Sequence, residues 1–421
     1  MPELARRLGT GDAVVIGLGS MMGAGVFAAF GPAARAAGAG LLIGLAIAAA
    51  VAYCNATASA QLAAVYPTSG GTYIYGREQL GPWWGFAAGW GFVVGKTASC
   101  AAMALTIGTY ALPGPWWAQR LLAVAAVAGL TALNYRGVTK TAALARILVA
   151  CTLVALAAVV IAIAVAGVQP SNLTSADAWS SVTVYGVLQS AGLLFFAFAG
   201  YARIATMGEE VRDPARAIPT AIIVALGITV VVYLIVGVAV LLAAGPERLA
   251  RAAAPLAEAL RAVGATPLLP VVAVGATLAS LGALLALIAG IGRTTLAMAR
   301  HRDLPGWLAA VHPRYQVPHH AEIALAVVVC ILAATVDLRG VIGFSSFGVL
   351  IYYAIANASA YTQPASQRRW PRVLNVCGVV GCLLLVATLP WLSVVVGLGV
   401  FAIGLTGRAI AQRSFTDPRP G

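Results

Sequence analysis

Residues Gly17 to Phe27 read GLGSMMGAGVF, with Gly19, Gly23 and Gly25 inside an apolar stretch long enough to cross a bilayer. Glycine in a helix interior costs about 1 kcal/mol relative to alanine, so this density predicts a deliberate break. A break frees backbone N–H groups at the start of one half-helix and carbonyl oxygens at the end of the other. The N–H groups, at the positive end of a dipole, can hold an anion. The carbonyls can accept from an ammonium. In lipid, such backbone survives only where protein buries it or where it lines a cavity. A break near the bilayer midplane is the mark of a secondary transporter's binding site. Close packing through small residues is the competing explanation for the glycines. Two cations also lie in apolar runs: Lys96 in GFVVGKTASCAA and Arg203 in FAGYARIATM. An ammonium at the bilayer centre costs about 3 kcal/mol on insertion scales. Lys96 is therefore expected to face a cavity or a partner, with snorkelling as the alternative.

The elements that position these residues are membrane spans. The chain has 421 residues, 61% hydrophobic and only 9% charged, too little charge to cover a soluble surface. Apolar runs of about 20 residues recur from end to end, the length that crosses hydrocarbon. Twelve spans are expected, near 11–36, 39–65, 83–111, 117–135, 142–167, 182–207, 217–244, 266–299, 321–337, 340–362, 373–389 and 391–411. The fold class is all-α, a single transmembrane domain over 1–421. The amino terminus, MPELARRLGTGD, does not read as a cleavable signal peptide. The stretch Pro246 to Gly264 is weakly amphipathic and is placed on the outer surface. The net charge of +13 does not point to nucleic acid, because the basic residues sit singly in short loops. It fits the positive-inside rule, with about 18 of the 26 Lys and Arg on the side of the amino terminus, which places both termini in the cytoplasm. The six cysteines lie in apolar spans without a CxxC or a His/Cys cluster, so no metal, cofactor or disulfide frame is expected.

The sixth span carries a second candidate break at Ala199-Gly200, in FFAFAGYARIATMGEEV. The second break comes five spans after the first. An odd number of spans per repeat inverts the second copy, so residues 11–167 and 182–362 read as inverted repeats, and 373–411 as two additional helices.

At these residues the chain resembles the amino acid–polyamine–organocation transporters, which have a LeuT-type 5+5 inverted repeat with helices 1 and 6 broken. Four ordered motifs carry the resemblance: MMGAGVF (21–27), PTSGGTYIYGREQLGP (67–82), FFAFAGY with EEVRDPARAIP (195–219), and RTTLAMARHRDLPGWLAAVHPRYQVP (293–318). The resemblance covers nearly the whole chain.

The resemblance implies an amino acid permease. It assigns a substrate carboxylate to the N–H groups of Gly23, Ala24 and Gly25. It assigns the ammonium to the carbonyls of Met21 and Met22 and to those around Phe196, Ala197 and Ala199. Phe196 and Tyr201 are candidates for the side-chain pocket and outer gate. Glu209 and Glu210 are expected to pair with loop arginines such as Arg77 or Arg300 and hold the inner gate, or to be a solvated helix end. Many relatives that work without sodium carry a helix-5 lysine, and here that position falls on Thr152. Lys96 is the candidate to replace it, as a proton-coupling group or a fixed cation. Arg203 stays protonated and is a gate or a carboxylate partner. Two cations weigh against polyamines and hint at an anionic side chain, although a small or medium neutral amino acid is the general expectation. Sodium coupling is disfavoured, because Leu281 to Gly292 offers no hydroxyl to face helix 1.

Other classes fit less well. An intramembrane enzyme needs Ser/His, paired Asp or HExxH in the bilayer, and all four histidines fall in one loop, 301–320. A channel needs a continuous polar stripe. A non-transporting receptor and an amine or polyamine exchanger of the same fold remain as alternatives. The exchanger would need an acid in the middle of helix 1, 3, 6, 8 or 10, and none is present. The partners expected are an amino acid, protons and the lipid bilayer.

Overall fold

The computed structural model describes residues 8–67, 70–136, 142–180, 182–208 and 210–416. Their regular elements are all helical. Ten helices are long and apolar enough to cross a membrane, and two shorter apolar ones, His319–Thr335 and Arg372–Thr388, complete the twelve expected segments. We number the segments α1 to α12. In order, α1 comprises Thr10–Met21, Ala24–Ala28 and Phe30–Ala37, α2 is Leu41–Val65, α3 is Pro82–Ala111 and α4 is Trp116–Tyr135. Next, α5 is Ala142–Ala166, and α6 is Val184–Phe198 with the turns Ala199–Tyr201 and Ala202–Ala205. Then α7 is Pro214–Arg251, α8 is Leu269–Arg300 and α9 is His319–Thr335. The last three are α10 (Leu338–Thr362), α11 (Arg372–Thr388) and α12 (Trp391–Thr416).

Burial separates an inner set from an outer one. The most apolar stretches of α3 and α10 are each 83% buried, against 17% for α4 and α12. Between helices in lipid there is little hydrophobic drive, so association depends on close backbone approach. The α3–α10 contact shows this. A Cβ on Gly348 would lie 2.7 Å from the Gly91 carbonyl oxygen, so the two backbones touch. One turn along α3 from Gly95, the Ser99 and Ser345 hydroxyls meet at 2.6 Å. This seam fixes the face of α3 that carries Lys96.

Gly245 bends α7 with φ 71°. Beyond it the chain folds back through the short helix Pro255–Ala262. Leu249, Leu256 and Leu260 are fully buried there, while Arg261 stays half exposed beside Glu258. The stretch expected on the outer surface thus buries its leucines against the helices and leaves Arg261 half exposed.

Another helix, Thr72–Leu80, connects α2 to α3. It meets a buried ionic cluster. Asp303, in the α8–α9 connection, accepts from the Tyr73 hydroxyl at 2.8 Å and lies 3.2 Å from Arg77 and 2.9 Å from Arg408 of α12. Arg408 also donates to the Pro82 carbonyl at 2.8 Å and lies 4.5 Å from the Trp83 ring centre. Burial, and then the hydrogen bond to Asp303, raise the Tyr73 phenol above its usual range.

Candidate functional site

The first break lies where the glycine density placed it. Met21 ends one half of α1, and Gly23 caps the helix Ala24–Ala28. Ala29 is also α-helical in φ and ψ, so the second half runs on toward Ala37. Its first N–H groups have no preceding carbonyl in the same helix. The second break is the tightened turn Ala199–Tyr201 after Phe198. Such mid-helix tightening marks a functional hinge or strain.

The two breaks touch. A Cβ on Gly25 would lie 2.5 Å from the Ala197 Cα, and one on Gly200 would lie 2.4 Å from the Ser20 carbonyl. Any larger residue at either position must push one half-helix away from the other. From α7, the Tyr233 hydroxyl reaches both. It lies 2.6 Å from the Met21 carbonyl oxygen and 3.0 Å from that of Ala197.

A cavity of about 330 Å³ lies beside the breaks. Its walls include Met21 and Gly25 of α1, Phe196, Ala199 and Arg203 of α6, Phe92, Lys96 and Met103 of α3, and Leu287, Arg293 and Arg300 of α8. The Lys96 ammonium, 5% exposed, donates to the Ala199 carbonyl at 2.8 Å. The Tyr353 hydroxyl of α10 donates to the same oxygen at 3.3 Å. Arg203 donates to the Thr206 hydroxyl at 3.1 Å. The cavity extends toward Gly70 and Arg300. Farther along α3, Tyr110 ties this helix to α1 and to the helix Pro255–Ala262. Its hydroxyl donates to the Phe27 carbonyl at 2.8 Å and accepts from the Leu256 N–H at 3.4 Å.

The residues expected from sequence divide into two groups. Met21, Gly25, Phe196, Ala199, Lys96 and Arg203 line the one cavity. Met22, Gly23, Ala24 and Ala197 lie beside it in the packed breaks, all buried. The Met21 and Ala197 carbonyls, expected to accept an ammonium, share the single Tyr233 hydroxyl. Tyr201 does not line the cavity. It is fully buried against the Tyr353 ring, centre to centre 5.0 Å. Thr152 is likewise buried and donates to Leu148 of its own helix at 2.8 Å, so it does not stand in for a cavity cation.

Glu210 has a different partner from the two arginines named for it. It pairs with Arg293 at 3.2 Å, while Arg77 is held by Asp303. Glu209 lies outside the described residues. Three residues that touch the site were not singled out in this role from sequence: Tyr233, Tyr353 and Arg293. The signal for Tyr233 is weak, a single hydroxyl in ITVVVYLIVG.

The family model described as Amino acid permease matches residues 8–410. The chain belongs to the amino acid permease family. An uncharacterized transporter of Mycobacterium tuberculosis is 61% identical over 411 residues, covering 97% of this chain and 92% of that one. The permease is also similar to a branched-chain amino acid permease of Bacillus subtilis, 26% identical over 433 residues, with 96% of this chain and 92% of the relative covered. A methylthioribose transporter of the same bacterium is 27% identical over 432 residues, covering 94% and 92%. Family membership and the apolar helices make this permease a multi-pass membrane protein of a transporter family.

Proposed function

We propose that this permease is a secondary active transporter that carries amino acids across the cytoplasmic membrane by alternating access. The observation that carries this reading is the meeting of two helix breaks at one cavity. Gly25 and Ala197 are in contact there, and Lys96 binds the second break from the side. The free N–H groups after Gly23 suit a carboxylate. The cavity volume of about 330 Å³ suits a small solute. The family and the branched-chain permease named above support an amino acid.

The two inverted repeats, 11–167 and 182–362, each contribute one broken helix to the site in this reading, with 373–411 as two additional helices. Both termini lie in the cytoplasm, from the distribution of Lys and Arg. Coupling is to protons or by exchange, with Lys96 the coupling candidate and Glu210–Arg293 part of the inner gate. Sodium is not required. A Cβ on Gly23 would meet the Ala283 methyl of α8 at 2.7 Å, so at this point α8 faces the first break with a methyl, which cannot ligate a hard cation.

The test uses the full chain in proteoliposomes, with radiolabelled amino acids offered under a sodium gradient, a proton gradient, or internal amino acid. Uptake under acid outside, or only after preloading, supports the two forms of coupling. Uptake that needs sodium overturns the coupling assignment. Gly25→Leu forces the breaks apart and is expected to abolish substrate binding while the protein remains monodisperse. Binding retained in that variant overturns the placement.

A further inference from the structure

Among the described residues, two cavity cations have no carboxylate within ion-pair distance. Lys96 is 5% exposed and its partner is the neutral Ala199 carbonyl. Arg203, one turn along α6 from Ala199, has the neutral Thr206 hydroxyl. The acid that reaches the cavity mouth among the described residues, Glu210, is paired with Arg293. Farther out, Arg300 adds another positive group to the wall.

Buried charges in proteins are normally paired. An arginine cannot relieve the cost by losing its proton. A cleft walled by low-dielectric side chains and one sign of charge also concentrates ions of the opposite sign. The N–H groups of the first break add to the same sign. A zwitterion with a neutral side chain would answer the N–H groups with its carboxylate and leave Arg203 as it is.

We infer that the missing counter-charge arrives with the cargo: the permease selects an amino acid whose side chain is anionic, with the second acid group held between Arg203 and Lys96. This rests on the amino acid reading above and narrows it. The main-chain carboxylate occupies the N–H groups after Gly23. The side-chain acid points along α6 toward Arg203. Lys96 serves both ends, steadying the Ala199 carbonyl and lending charge to the side-chain acid.

Proteoliposome uptake distinguishes acidic substrates from their amides, which match them in shape. Aspartate or glutamate is expected to compete at least tenfold better than asparagine or glutamine against any labelled amino acid that is carried. Arg203→Gln is expected to cut that acid-over-amide ratio tenfold or more. Arg203→Lys, which keeps a point charge, retains part of it. Thermal stabilisation of the purified wild-type protein by acid and amide gives the same ratio without transport or a variant. If glutamine or leucine is carried and a hundredfold excess of aspartate and glutamate does not compete, the inference is overturned and the amino acid reading stands. If no amino acid of any charge is bound or carried, both fall together.

Discussion

Two buried positive groups, Arg408 and Lys96, sit in opposite kinds of surroundings. Arg408 is gripped by Asp303 at 2.9 Å, by the Pro82 carbonyl, and by the faces of Trp83 and Phe86. Lys96 has one backbone oxygen and a cavity beside it. The cluster around Arg408 ties the end of α12 to the α8–α9 connection and to the helix Thr72–Leu80. It fastens parts together, with both arginines held on one carboxylate from within the chain. The cavity is incomplete from within. The contrast separates a cation that holds the fold from one that awaits something outside the chain.

Replacing each cation tests this contrast. Arg408→Met leaves the buried Asp303 carboxylate with Arg77 and the Tyr73 hydroxyl alone, and loss of one partner of a buried pair costs up to about 3–5 kcal/mol. A large fall in melting temperature, measured in detergent, is expected, and an unchanged melting temperature would break the comparison. Tyr233→Phe comes next. It removes the one hydroxyl hydrogen that two buried carbonyls share, a loss of about 1–3 kcal/mol. Substrate affinity is expected to fall together with stability, because the two breaks lose their common tie. The smallest stability effect belongs to Lys96→Met. The Tyr353 hydroxyl still serves the Ala199 carbonyl, and a costly buried charge is gone. The melting temperature should move by the equivalent of about 1 kcal/mol or less, while transport is lost. A fall as large as that of Arg408→Met would show that Lys96 is a structural ion after all.

The sequence displays some of this openly. Glycine density announces the first break because glycine is costly in a helix. Apolar length announces the spans. A lysine amid GFVVG and TASCAA announces a cavity because lipid tolerates it so poorly. Pair identity is hidden. Glu210 lies next to several arginines in any plausible loop arrangement, and only the placement of α8 selects Arg293 over Arg77 and Arg300. Tyr233 is hidden for a related reason. Its neighbours are valine, isoleucine and leucine, so nothing along α7 distinguishes a hydroxyl aimed at two broken helices from an ordinary packed aromatic. Tyr201 errs in the other direction. It follows Gly200 directly, but the tight turn swings its ring behind the break toward Tyr353 rather than into the cavity.

The Tyr233 hydroxyl has one hydrogen, and it faces two carbonyl oxygens, those of Met21 and Ala197. At any instant one oxygen receives the hydrogen and the other is short of a donor. The shortage belongs to neither half-helix permanently, since a small rotation of the C–O–H bond passes it across. An arriving ammonium near either break would settle the shortage by supplying a hydrogen of its own. The side of the junction that lacks a donor is thus set by occupancy, and a single rotor keeps both broken helices informed of it.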